Sequence, residues 1–474
     1  MAKTTSTTRS KAAAASKKAA TPRAVASKAP RPATLRTTAR RANGSGTSGR
    51  PVYIVDGART PFLRARGKPG PFTPVDLAVQ CGRPLLMRQP FAPDAFDMVV
   101  LGCVNVVADE MNPARVAALR LGMGASMPAW TVQINCGTGM LAIDDAFRAI
   151  EGGKADLVLA GGTEALSHAP LVLSREATEW FASFATAKGP LDSASALTGL
   201  RARFARPVIG LERGLTDPIT DMNMGQTAEL VGHLFKISRQ QADAYALESH
   251  QRLAKAQNEG YLAGEVTPAV DKDGTLHERD DGVRPDSSMD KLAKLDPVFE
   301  KPYGKVTPGN SSQITDGASW VILASEEAVK NHKLTPLARL VDSEWSALDP
   351  AIMGLGPTLC STALMKRRDL AREDIGLWEL NEAFAAQVLG CLAAWEDETY
   401  CRDVLKLDAP FGAIDRKKLN VDGGAISLGH PVGTSGNRIV LHLVNAMRRL
   451  GQKRGIATEC IGGGLGGAML IEAV

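Results

Sequence analysis

The sequence predicts an α/β fold made of two similar halves separated by a segment of different character. Short β-branched runs alternate with amphipathic helical stretches up to about residue 165, and the same alternation returns after about residue 335. Both halves also share one order of features, namely a helix, glycine, a basic residue, a strand and more glycine. These observations predict an internal duplication with parallel α/β architecture.

Cys136 lies at a predicted turn in the first half, whose first strand is expected at residues 52–55. The β-branched run 131–134 predicts a buried strand, and apolar residues at helical spacing predict a helix over 137–151. The next strand is predicted at 155–160. Free N–H groups and the helix dipole at such a turn favour a thiolate, so the residue is a candidate nucleophile. The alternative is a small buried hydrophobe.

The middle segment and the second half follow the same kind of reasoning. Residues 166–312 are irregular and charged, with a helix predicted over 238–259. Later, apolar residues on one face predict a helix over 439–450, followed by a strand over 456–460 and a glycine cluster at 462–467. Because this cluster leads into another strand, it does not match a dinucleotide-binding loop, which opens a helix. Its glycines suit a close approach of the backbone to a ligand or to packed neighbours.

The first 50 residues form a basic segment rich in Ala, Ser and Thr. They hold 12 of the 56 Lys and Arg residues and no Asp or Glu, which leaves 44 basic and 51 acidic residues elsewhere. Because the segment has too few apolar residues to bury a core, we expect it to be disordered. A solvated linker, contact with a polyanion and an organelle transit peptide are the three interpretations.

Length and cysteine usage limit the class of protein. The 474 residues exceed one hydrophobic core, so two or three domains are expected. No run approaches the roughly 18 apolar residues of a membrane-spanning helix. The seven cysteines are scattered without a CxxC pair, which argues against disulfides or structural zinc and for a reducing compartment. We expect a cytoplasmic protein, or a mitochondrial matrix protein if residues 1–50 are a transit peptide.

Three further motifs follow Cys136: NEAFA at 381–385, GGAISLGHP at 423–431 and CIGGG at 460–464. In this order the four motifs resemble those of the thiolase active site, over residues 51–474. The resemblance implies the duplicated, layered αβαβα thiolase fold with an inserted loop domain. It divides the body into a first half (51–165), a loop domain (166–312), a return to the first half (313–334) and a second half (335–474).

The resemblance also implies a set of roles in forming or cleaving a carbon–carbon bond between acyl groups carried on coenzyme A. Cys136 is the nucleophile, and His430 takes its proton. Cys460 is the base for the substrate α-carbon or for the coenzyme A thiol, and the expected polar pocket places its pKa near working pH. Asn381 and His430 stabilise the enolate, while the N–H groups of Cys136 and Gly462 form the other oxyanion site. Coenzyme A enters as substrate and product, and no bound cofactor or metal is implied.

Contacts to coenzyme A and partners follow from the same resemblance. The predicted coenzyme A contacts are Ser312, Met224, Met353, Ala383 and Phe384. Asn223, Gln313 and Leu465 depart from the usual family residues, and residues 171–210 and 396–419 are long insertions. Both insertions resemble the thiolase β-subunit of the fatty-acid oxidation trifunctional complex, which implies a hydratase/dehydrogenase α-subunit as a possible partner. The basic, partly apolar insertion could touch a membrane surface or be an ordinary amphipathic surface helix. A homodimer or higher homo-oligomer is also expected.

Three functions remain to be separated. Within the thiolase interpretation, degradation of 3-ketoacyl-CoA is favoured over synthesis of acetoacetyl-CoA. A decarboxylating condensing enzyme of the ketoacyl-synthase type would use one cysteine with two histidines, and no second catalytic histidine is evident in the sequence. A non-catalytic lipid-binding or scaffold protein would have no reason to keep Cys136, Asn381, His430 and Cys460 together. Alone, Asn381 could be a turn former and His430 a capping residue.

Overall fold

The computed structural model describes residues 49–474, so the predicted basic segment lies outside the described residues except for Gly49 and Arg50. The Arg50 guanidinium donates to the carbonyl oxygens of Ile150 and Ala155 and to the carboxylate of Asp156, at 2.7–2.9 Å. Arg50 is therefore attached to the folded body, two residues before the first strand. Within residues 49–474, no helix is long and apolar enough to cross a lipid bilayer.

The strands of the described residues fall into the two halves and the middle segment. They are β1 Val52–Arg59, β2 Leu63–Arg64, β3 Met98–Gly102, β4 Ala129–Val132, β5 Leu157–Ala165, β6 Leu171–Val172, β7 Val208–Ile209, β8 Ala269–Val270, β9 Leu276–His277, β10 Thr315–Ser325, β11 Ala338–Ala347, β12 Leu377–Leu380, β13 Arg454–Ile461 and β14 Leu465–Glu472.

The α-helices alternate with these strands in both halves and dominate the middle segment. They are α1 Pro74–Met87, α2 Pro113–Arg120, α3 Thr138–Glu151, α4 Arg175–Ala185, α5 Pro190–Thr198, α6 Gly210–Gly214, α7 Met224–Leu234, α8 Arg239–Asn258, α9 Met289–Ala293, α10 Glu326–Asn331, α11 Gly356–Arg367, α12 Ala385–Glu396, α13 Glu398–Asp403, α14 Ala425–Leu428 and α15 Val432–Leu450.

The central sheet is mixed, so the prediction of parallel architecture is wrong at its centre. In the described part of the chain its order is β12-β13-β14-β11-β1-β10-β5-β3-β4, with β2 beside β10. Strand β10 is antiparallel to β1 and β5, and β14 is antiparallel to β11 and β13. Parallel pairing remains between β3 and β4, β3 and β5, and β12 and β13. Strand β14 follows β13 through a tight turn, which can only give an antiparallel neighbour.

The pairing pattern confirms the predicted duplication. Strands β3, β5, β10 and β1 pair in the same sequence of directions as β12, β13, β14 and β11. The two sets meet where β1 and β11 pair antiparallel, with Val52, Tyr53 and Ile54 opposite residues 338–340.

Two amphipathic helices form the middle layer of the molecule. The apolar faces of α3 and α15 share one core with residues of β1, β5 and β10 from the first half and β11, β13 and β14 from the second. Helices α1 and α2 pack in a separate core of the first half, and α11 and α12 in a core of the second. The layers therefore alternate as helix, sheet, helix, sheet, helix, and the N-termini of α3 and α15 carry the candidate site.

Strand β4 differs from its prediction in length and burial. It ends at Val132, and its residues are half-buried, with Trp130 39% exposed. Its position explains this, because β4 is the last strand of the sheet and has a neighbour only in β3. The predicted strand at 155–160 lies instead at Leu157–Ala165, fully buried between β3 and β10.

The two long insertions have different surroundings. Residues 171–210 form β6, α4, α5 and β7, and many of their apolar side chains are exposed, among them Leu191 at 86%. Residues 396–419 contain α13 and add Cys401, Leu405 and Leu419 to the core of the second half.

Candidate active site

Cys136 lies in a tight turn between β4 and α3. Asn135, immediately before it, has a left-handed backbone with φ of 48°, and Gly137 is the N-cap of the helix. The Gly137 N–H donates to the Ile134 carbonyl at 3.1 Å, and the Ile134 N–H donates to the Thr138 hydroxyl at 2.8 Å. These hydrogen bonds hold a backbone conformation that costs a non-glycine residue about 1–2 kcal/mol, and they place the cysteine at the start of the helix.

A glycine loop between β13 and β14 faces this turn. It consists of Gly462, Gly463 and Gly464, and the last two have φ of 92° and 82°. Glycine adopts these values readily, which makes the three-residue hairpin possible. The Asn135 side-chain amide donates to the Gly462 carbonyl at 2.8 Å. The loop of the second half is thus tied to the turn that carries Cys136 in the first.

The N–H groups of this turn act in the predicted direction, but the prediction that the turn gives a thiolate is wrong. Cys136 is only partly accessible, and the protein packed around it raises the pKa of its thiol to about 12. The N–H groups of Gly462 and of Cys136 itself lower this pKa, whereas Glu459 and Glu164 raise it. Burial outweighs the N–H groups because a thiolate loses much of its hydration there. A thiol in these surroundings can act as a nucleophile only if a base takes its proton.

His430 has the properties of such a base. Burial lowers its pKa to about 4, so the imidazole is neutral near pH 7. Its Nδ1 lies 2.6 Å from the Ser435 hydroxyl, which donates to the Pro431 carbonyl at 3.3 Å. This arrangement places the proton on Nδ1 and leaves a lone pair on Nε2, which has no partner among the described residues. Two residues later, Val432 lines the same cavity as Cys136.

Asn381 and Cys460 lie on neighbouring strands of the second half. Asn381 follows β12, and its backbone N–H donates to the Thr458 carbonyl on β13 at 2.9 Å. Its side chain is buried, and neither amide atom has a hydrogen-bond partner within residues 49–474. An unpaired buried amide costs about 1–3 kcal/mol, which a bound water or substrate oxygen would remove. Cys460 is fully buried on β13, two residues after Thr458.

Cys460 lies in an apolar cluster and not in the predicted polar pocket. Burial raises the pKa of its thiol well above the ordinary value, and Cys136 adds to the rise. The prediction of a pKa near working pH is therefore wrong. The physical reason is the packing of methionine and alanine side chains around the sulfur, since these cannot stabilise a thiolate.

The same cluster gathers most of the predicted coenzyme A contacts. Its members besides the cysteine are Met224, Met353 and Ala383, with Phe384 at its edge. Ser312 joins them through its backbone N–H, which donates to the Ala383 carbonyl at 2.9 Å. All five residues therefore lie in or directly beside one region of the structure, next to Cys460.

A cavity of about 140 Å³ opens beside Cys136, and we call it the Cys136 cavity. Both halves and the middle segment contribute to its walls. Its apolar lining consists of Val104, Leu166, Leu211, Leu215, Met224 and Val432. Its polar side chains are Asn105, Asn135 and the cysteine itself. The cavity can therefore receive an apolar group bound to the cysteine sulfur.

Two residues that depart from the family pattern have structural roles next to the site. Asn223 caps α7 in a capping box with Gln226, which places Met224 at the first turn of that helix. The Gln313 side-chain amide donates to the Gly282 and Ile426 carbonyls at 2.8 and 3.1 Å. The backbone carbonyl of Gln313 accepts a hydrogen bond from the backbone N–H of His430 at 3.0 Å. Through these contacts Gln313 holds the loop that carries the histidine.

Glu382 is a positioning residue that sequence reasoning did not single out. It is buried and accepts hydrogen bonds from the Tyr245 hydroxyl at 2.9 Å, the Ser249 hydroxyl at 2.7 Å and the Asn420 amide at 3.0 Å. These contacts attach helix α8 of the middle segment to the segment that carries Asn381. Its place within the NEAFA motif was the available signal.

Two buried carboxyl groups near the nucleophile were also missed. Glu164, in β5, accepts N–H hydrogen bonds from Val104, Asn105 and Gly433 at 2.9–3.2 Å, and burial raises its pKa to about 7. Glu459 on β13 is fully buried, its oxygens have no partner in the described part of the chain, and burial raises its pKa well above the ordinary value. In the sequence, the only signal for Glu164 or Glu459 was that each is a single acidic residue within an otherwise apolar strand.

Comparisons with known proteins agree with this geometry. Residues 52–327 match the family model described as "Thiolase, N-terminal domain", and residues 334–473 match "Thiolase, C-terminal domain". The chain is 40% identical to "Beta-ketoadipyl-CoA thiolase" of Pseudomonas aeruginosa, over 90% of this chain and all of that protein. It is 36% identical to "Trifunctional enzyme subunit beta, mitochondrial" of Bos taurus, over 90% and 88% of the two chains.

A solved structure gives the same result for the fold. The human mitochondrial 3-ketoacyl-CoA thiolase in complex with CoA matches with a TM-score of 0.76 and 36% identity, over 90% of this chain and 98% of that one. The two family models together cover nearly all of the described residues. The chain therefore belongs to the thiolase family of acyltransferases.

Proposed function

We propose that this thiolase works in the degradative direction and cleaves a 3-ketoacyl-CoA with free coenzyme A. The products are acetyl-CoA and an acyl-CoA shortened by two carbons. The observation that carries the proposal is that two protonated thiols, those of Cys136 and Cys460, lie near enough for one to raise the pKa of the other. The further groups that the proposal uses are the neutral imidazole of His430 and the amide of Asn381, which has no hydrogen-bond partner among the described residues.

The first half-reaction begins at Cys136. His430 Nε2 takes the thiol proton, and the thiolate attacks the C3 carbonyl of the substrate, while the N–H groups of Cys136 and Gly462 bind the oxyanion. The C2–C3 bond then breaks, and its electron pair stays on C2 as the enolate of acetyl-CoA. The imidazolium and a water held by Asn381 stabilise the enolate oxygen. Cys460 donates its proton to C2, which releases acetyl-CoA.

The second half-reaction restores both cysteines. The Cys460 thiolate removes the proton of an incoming coenzyme A thiol, whose sulfur attacks the thioester carbonyl on Cys136. The Cys136 sulfur leaves and takes back the proton held by His430. The raised pKa of Cys460 supports this direction, because the resting thiol is the form that protonates the enolate.

Coenzyme A is proposed to lie along the cluster that surrounds Cys460. Met224, Met353, Ala383 and Phe384 offer an apolar surface for the pantetheine arm, and the half-buried Ser312 offers a hydroxyl group beside Ala383. A related solved thiolase was obtained with CoA bound, which supports a coenzyme A site in this chain.

Initial rates of thiolysis test the proposal. Purified protein is mixed with coenzyme A and 3-ketoacyl-CoA esters of four to sixteen carbons, and acetyl-CoA and the shortened acyl-CoA are quantified. We expect equal amounts of both products and no turnover by Cys136→Ser. Cleavage of none of the esters would refute the proposal. Condensation of acetyl-CoA that is faster than every thiolysis at equal concentrations would favour the biosynthetic alternative.

We also propose that the chain forms a homodimer through β4. This strand closes one end of the sheet, and its outer edge has no strand partner among residues 49–474. Trp130 on this strand is 39% exposed. Met111 is 75% exposed and precedes Asn112, whose side-chain amide donates to the Ala129 carbonyl at 3.3 Å. An unpaired strand edge with apolar side chains is suited to pairing with a second copy. The relative named as a trifunctional enzyme β-subunit supports a hydratase/dehydrogenase α-subunit as a further partner.

A further inference from the structure

Among residues 49–474, no positively charged side chain lines the Cys136 cavity, although the cavity must hold whatever group the cysteine carries. None of its lining residues is Lys, Arg or His. The nearest cation in sequence is Arg213 on α6, which is exposed, does not line the cavity and follows the equally exposed Glu212. An anionic group at the far end of a bound acyl chain would therefore find no ionic partner there.

Several hydrogen-bond donors of the lining are already engaged. The Asn105 amide donates to the Ala165 carbonyl at 3.1 Å, and the Asn135 amide donates to the Gly462 carbonyl at 2.8 Å. The backbone N–H groups of Val104 and Asn105 both point to Glu164, and those of Cys136 and Gly462 are the ones proposed to bind the thioester oxygen. A carboxylate placed in this cavity would lose hydration and gain few donors and no cation, which is unfavourable.

The carboxyl groups near the cysteine offer no compensation for such a charge. Glu164 and Glu459 lie near Cys136, and burial raises the pKa of Glu164 to about 7 and that of Glu459 well above its ordinary value. Neither group can act as the cationic partner of a substrate carboxylate. The aliphatic side chains of Leu166, Leu211 and Leu215, by contrast, match a methyl-ended chain.

We propose that this thiolase is specific for short 3-ketoacyl chains that end in a methyl group and discriminates against chains that end in a carboxylate. The proposal rests on the thiolytic function proposed above. It separates this chain from relatives at similar identity that are named for 3-oxoadipyl-CoA or β-ketoadipyl-CoA. A cavity of about 140 Å³ accommodates a group of about the size of benzene, which suits a short acyl chain such as butyryl.

A pair of substrates isolates the charge. 3-Oxohexanoyl-CoA and 3-oxoadipyl-CoA have the same six-carbon chain and differ in a terminal methyl or carboxylate group. In each case the C2–C3 bond breaks and acetyl-CoA leaves, and Cys136 carries a butyryl or a succinyl group that passes to coenzyme A. Only the second acyl-enzyme places a carboxylate in the cavity.

The experiment compares kcat/KM for the two esters in the wild-type protein. We expect 3-oxohexanoyl-CoA to be preferred by about 100-fold or more, since an apolar site leaves the buried carboxylate unpaired. A ratio near one, or a preference for 3-oxoadipyl-CoA, would overturn the proposal while leaving the thiolytic function intact. Failure to cleave either ester, or any other 3-ketoacyl-CoA, would instead remove the thiolytic function itself.

A variant that introduces a positive charge and a matched control test whether the cavity wall determines the preference for the methyl-ended substrate. Leu211→Arg places a cation in the cavity wall on a short surface helix that can accommodate it. We expect it to lower the preference for 3-oxohexanoyl-CoA at least tenfold. Leu191→Arg adds the same charge on α5, where the side chain is 86% exposed and does not line the cavity, and should leave the preference unchanged.

Two further outcomes would count against the proposed location. An unchanged ratio in a folded Leu211→Arg variant, or an equal change in Leu191→Arg, would show that the cavity wall does not set the specificity. Arg213→Ala should also leave the ratio unchanged, and a strong effect there would indicate that the exposed rim selects the chain end.

Discussion

At the level of single residues, the site combines two thiols that are both protonated before substrate binds. Burial raises the pKa of Cys136 to about 12 and that of Cys460 well above its ordinary value. Neither sulfur can react without giving its proton to a specific acceptor, so the order of proton transfers fixes the order of the chemistry. Stray electrophiles should meet little thiolate in the resting enzyme.

The first prediction concerns the nucleophile. Cys136→Ser should abolish acyl-enzyme formation, because an alkoxide is harder to generate and a poorer partner for thioester exchange. The protein is incubated with labelled acetyl-CoA and digested, and the labelled peptide is identified. Cys81→Ala, which removes a buried thiol on α1, is the matched control and should keep the label. Label on another cysteine, or full activity in Cys136→Ser, would contradict the assignment.

The second prediction separates the two half-reactions. Cys460→Ala should still form the acyl-enzyme when acetyl-CoA transfers its acetyl group to Cys136, which is the first half-reaction of the synthetic direction. It should not complete a catalytic cycle. The reason is that no group remains to protonate the enolate or to activate the coenzyme A thiol. Mass spectrometry of the intact protein after mixing, together with steady-state rates, distinguishes the two effects. Loss of acylation as well would show that Cys460 acts earlier or only structurally.

The third prediction concerns Ser435, which positions the histidine. Ser435→Ala removes the hydroxyl that holds the Nδ1 proton of His430. A lost hydrogen bond of about 1–3 kcal/mol corresponds to roughly a 5- to 150-fold fall in kcat. A purely structural role would lower stability instead. Ser435→Thr, which keeps the hydroxyl, should restore activity, and the acidic limb of the pH–rate profile should differ between the two variants. Equal kcat in all three proteins would exclude this role.

At the level of elements, local sequence pattern predicts some helices well and strand partners poorly. Helices α3 and α8 begin within about two residues of their predicted starts, because their apolar spacing and caps are local. Helix α15 begins at Val432, several residues before the predicted stretch. Its first two turns are polar and glycine-rich, since a Cβ at Gly436 would lie 2.3 Å from a Glu459 oxygen. That neighbour comes from a distant part of the chain, so the sequence pattern could not reveal it.

The site shows the same division between local and distant information. The motifs predicted Cys136, Asn381, His430 and Cys460 as site residues. The structure places Cys136 on the cavity that Met224 also lines, and Cys460 in the cluster that contains Met224. The apolar surroundings that raise the pKa of Cys460 come from residues more than 75 positions away in sequence, such as Met224 and Met353. Electrostatic environment therefore could not be predicted from the motif that contains the residue.

The fourth prediction concerns a buried charge cluster on α15. His442 lies 2.9 Å from Glu265 and 3.2 Å from Asp422, and Glu379 is 3.9 Å away. Burial alone would lower its pKa, but the carboxylates outweigh it and raise the pKa to about 10. The cluster also includes cations, since Arg59 pairs with Glu265, Arg438 with Glu379 and Arg449 with Asp422.

The raised pKa of His442 determines how the stability of the folded protein changes with pH. Because the folded pKa exceeds the unfolded value, the stabilisation is complete below about pH 6.5 and is lost as pH rises through about 10. The Tm of the wild-type protein should therefore fall more between pH 7 and 10 than that of His442→Gln, which cannot carry the proton. Parallel Tm curves for the two proteins would show that this histidine does not couple folding to pH.

At the scale of the whole molecule, the site depends on contributions from both halves and from the middle segment. Of the proposed catalytic residues, the first half carries Cys136 and the second carries Asn381, His430 and Cys460, while α6 and α7 of the middle segment line the cavity. Residues 52–54 of β1 pair directly with β11 and join the two halves of the sheet. Substrate specificity can therefore change in the middle segment without alteration of the catalytic residues.

The fifth prediction tests self-association along β4. Light scattering after size-exclusion chromatography should give about twice the chain mass of 50.2 kDa. Trp130→Arg places a charge on the open strand edge and should shift the protein toward the monomer. Met87→Arg, at a residue that is 80% exposed on α1, serves as the control and should remain dimeric. A wild-type monomer at micromolar concentration would contradict the prediction.

The position of β14 has a consequence for how the enzyme matures in the cell. This strand, Leu465–Glu472, lies inside the sheet between β13 and β11, although it is translated after every other strand of residues 49–474. While it is missing, β13 has no partner on one side, and the Gly462 loop that faces Cys136 has no second strand to close it. A nascent chain therefore carries Cys136 for more than 300 residues of synthesis without the complete cavity around it. We expect chains that terminate before β14 to lack acyl-transfer activity.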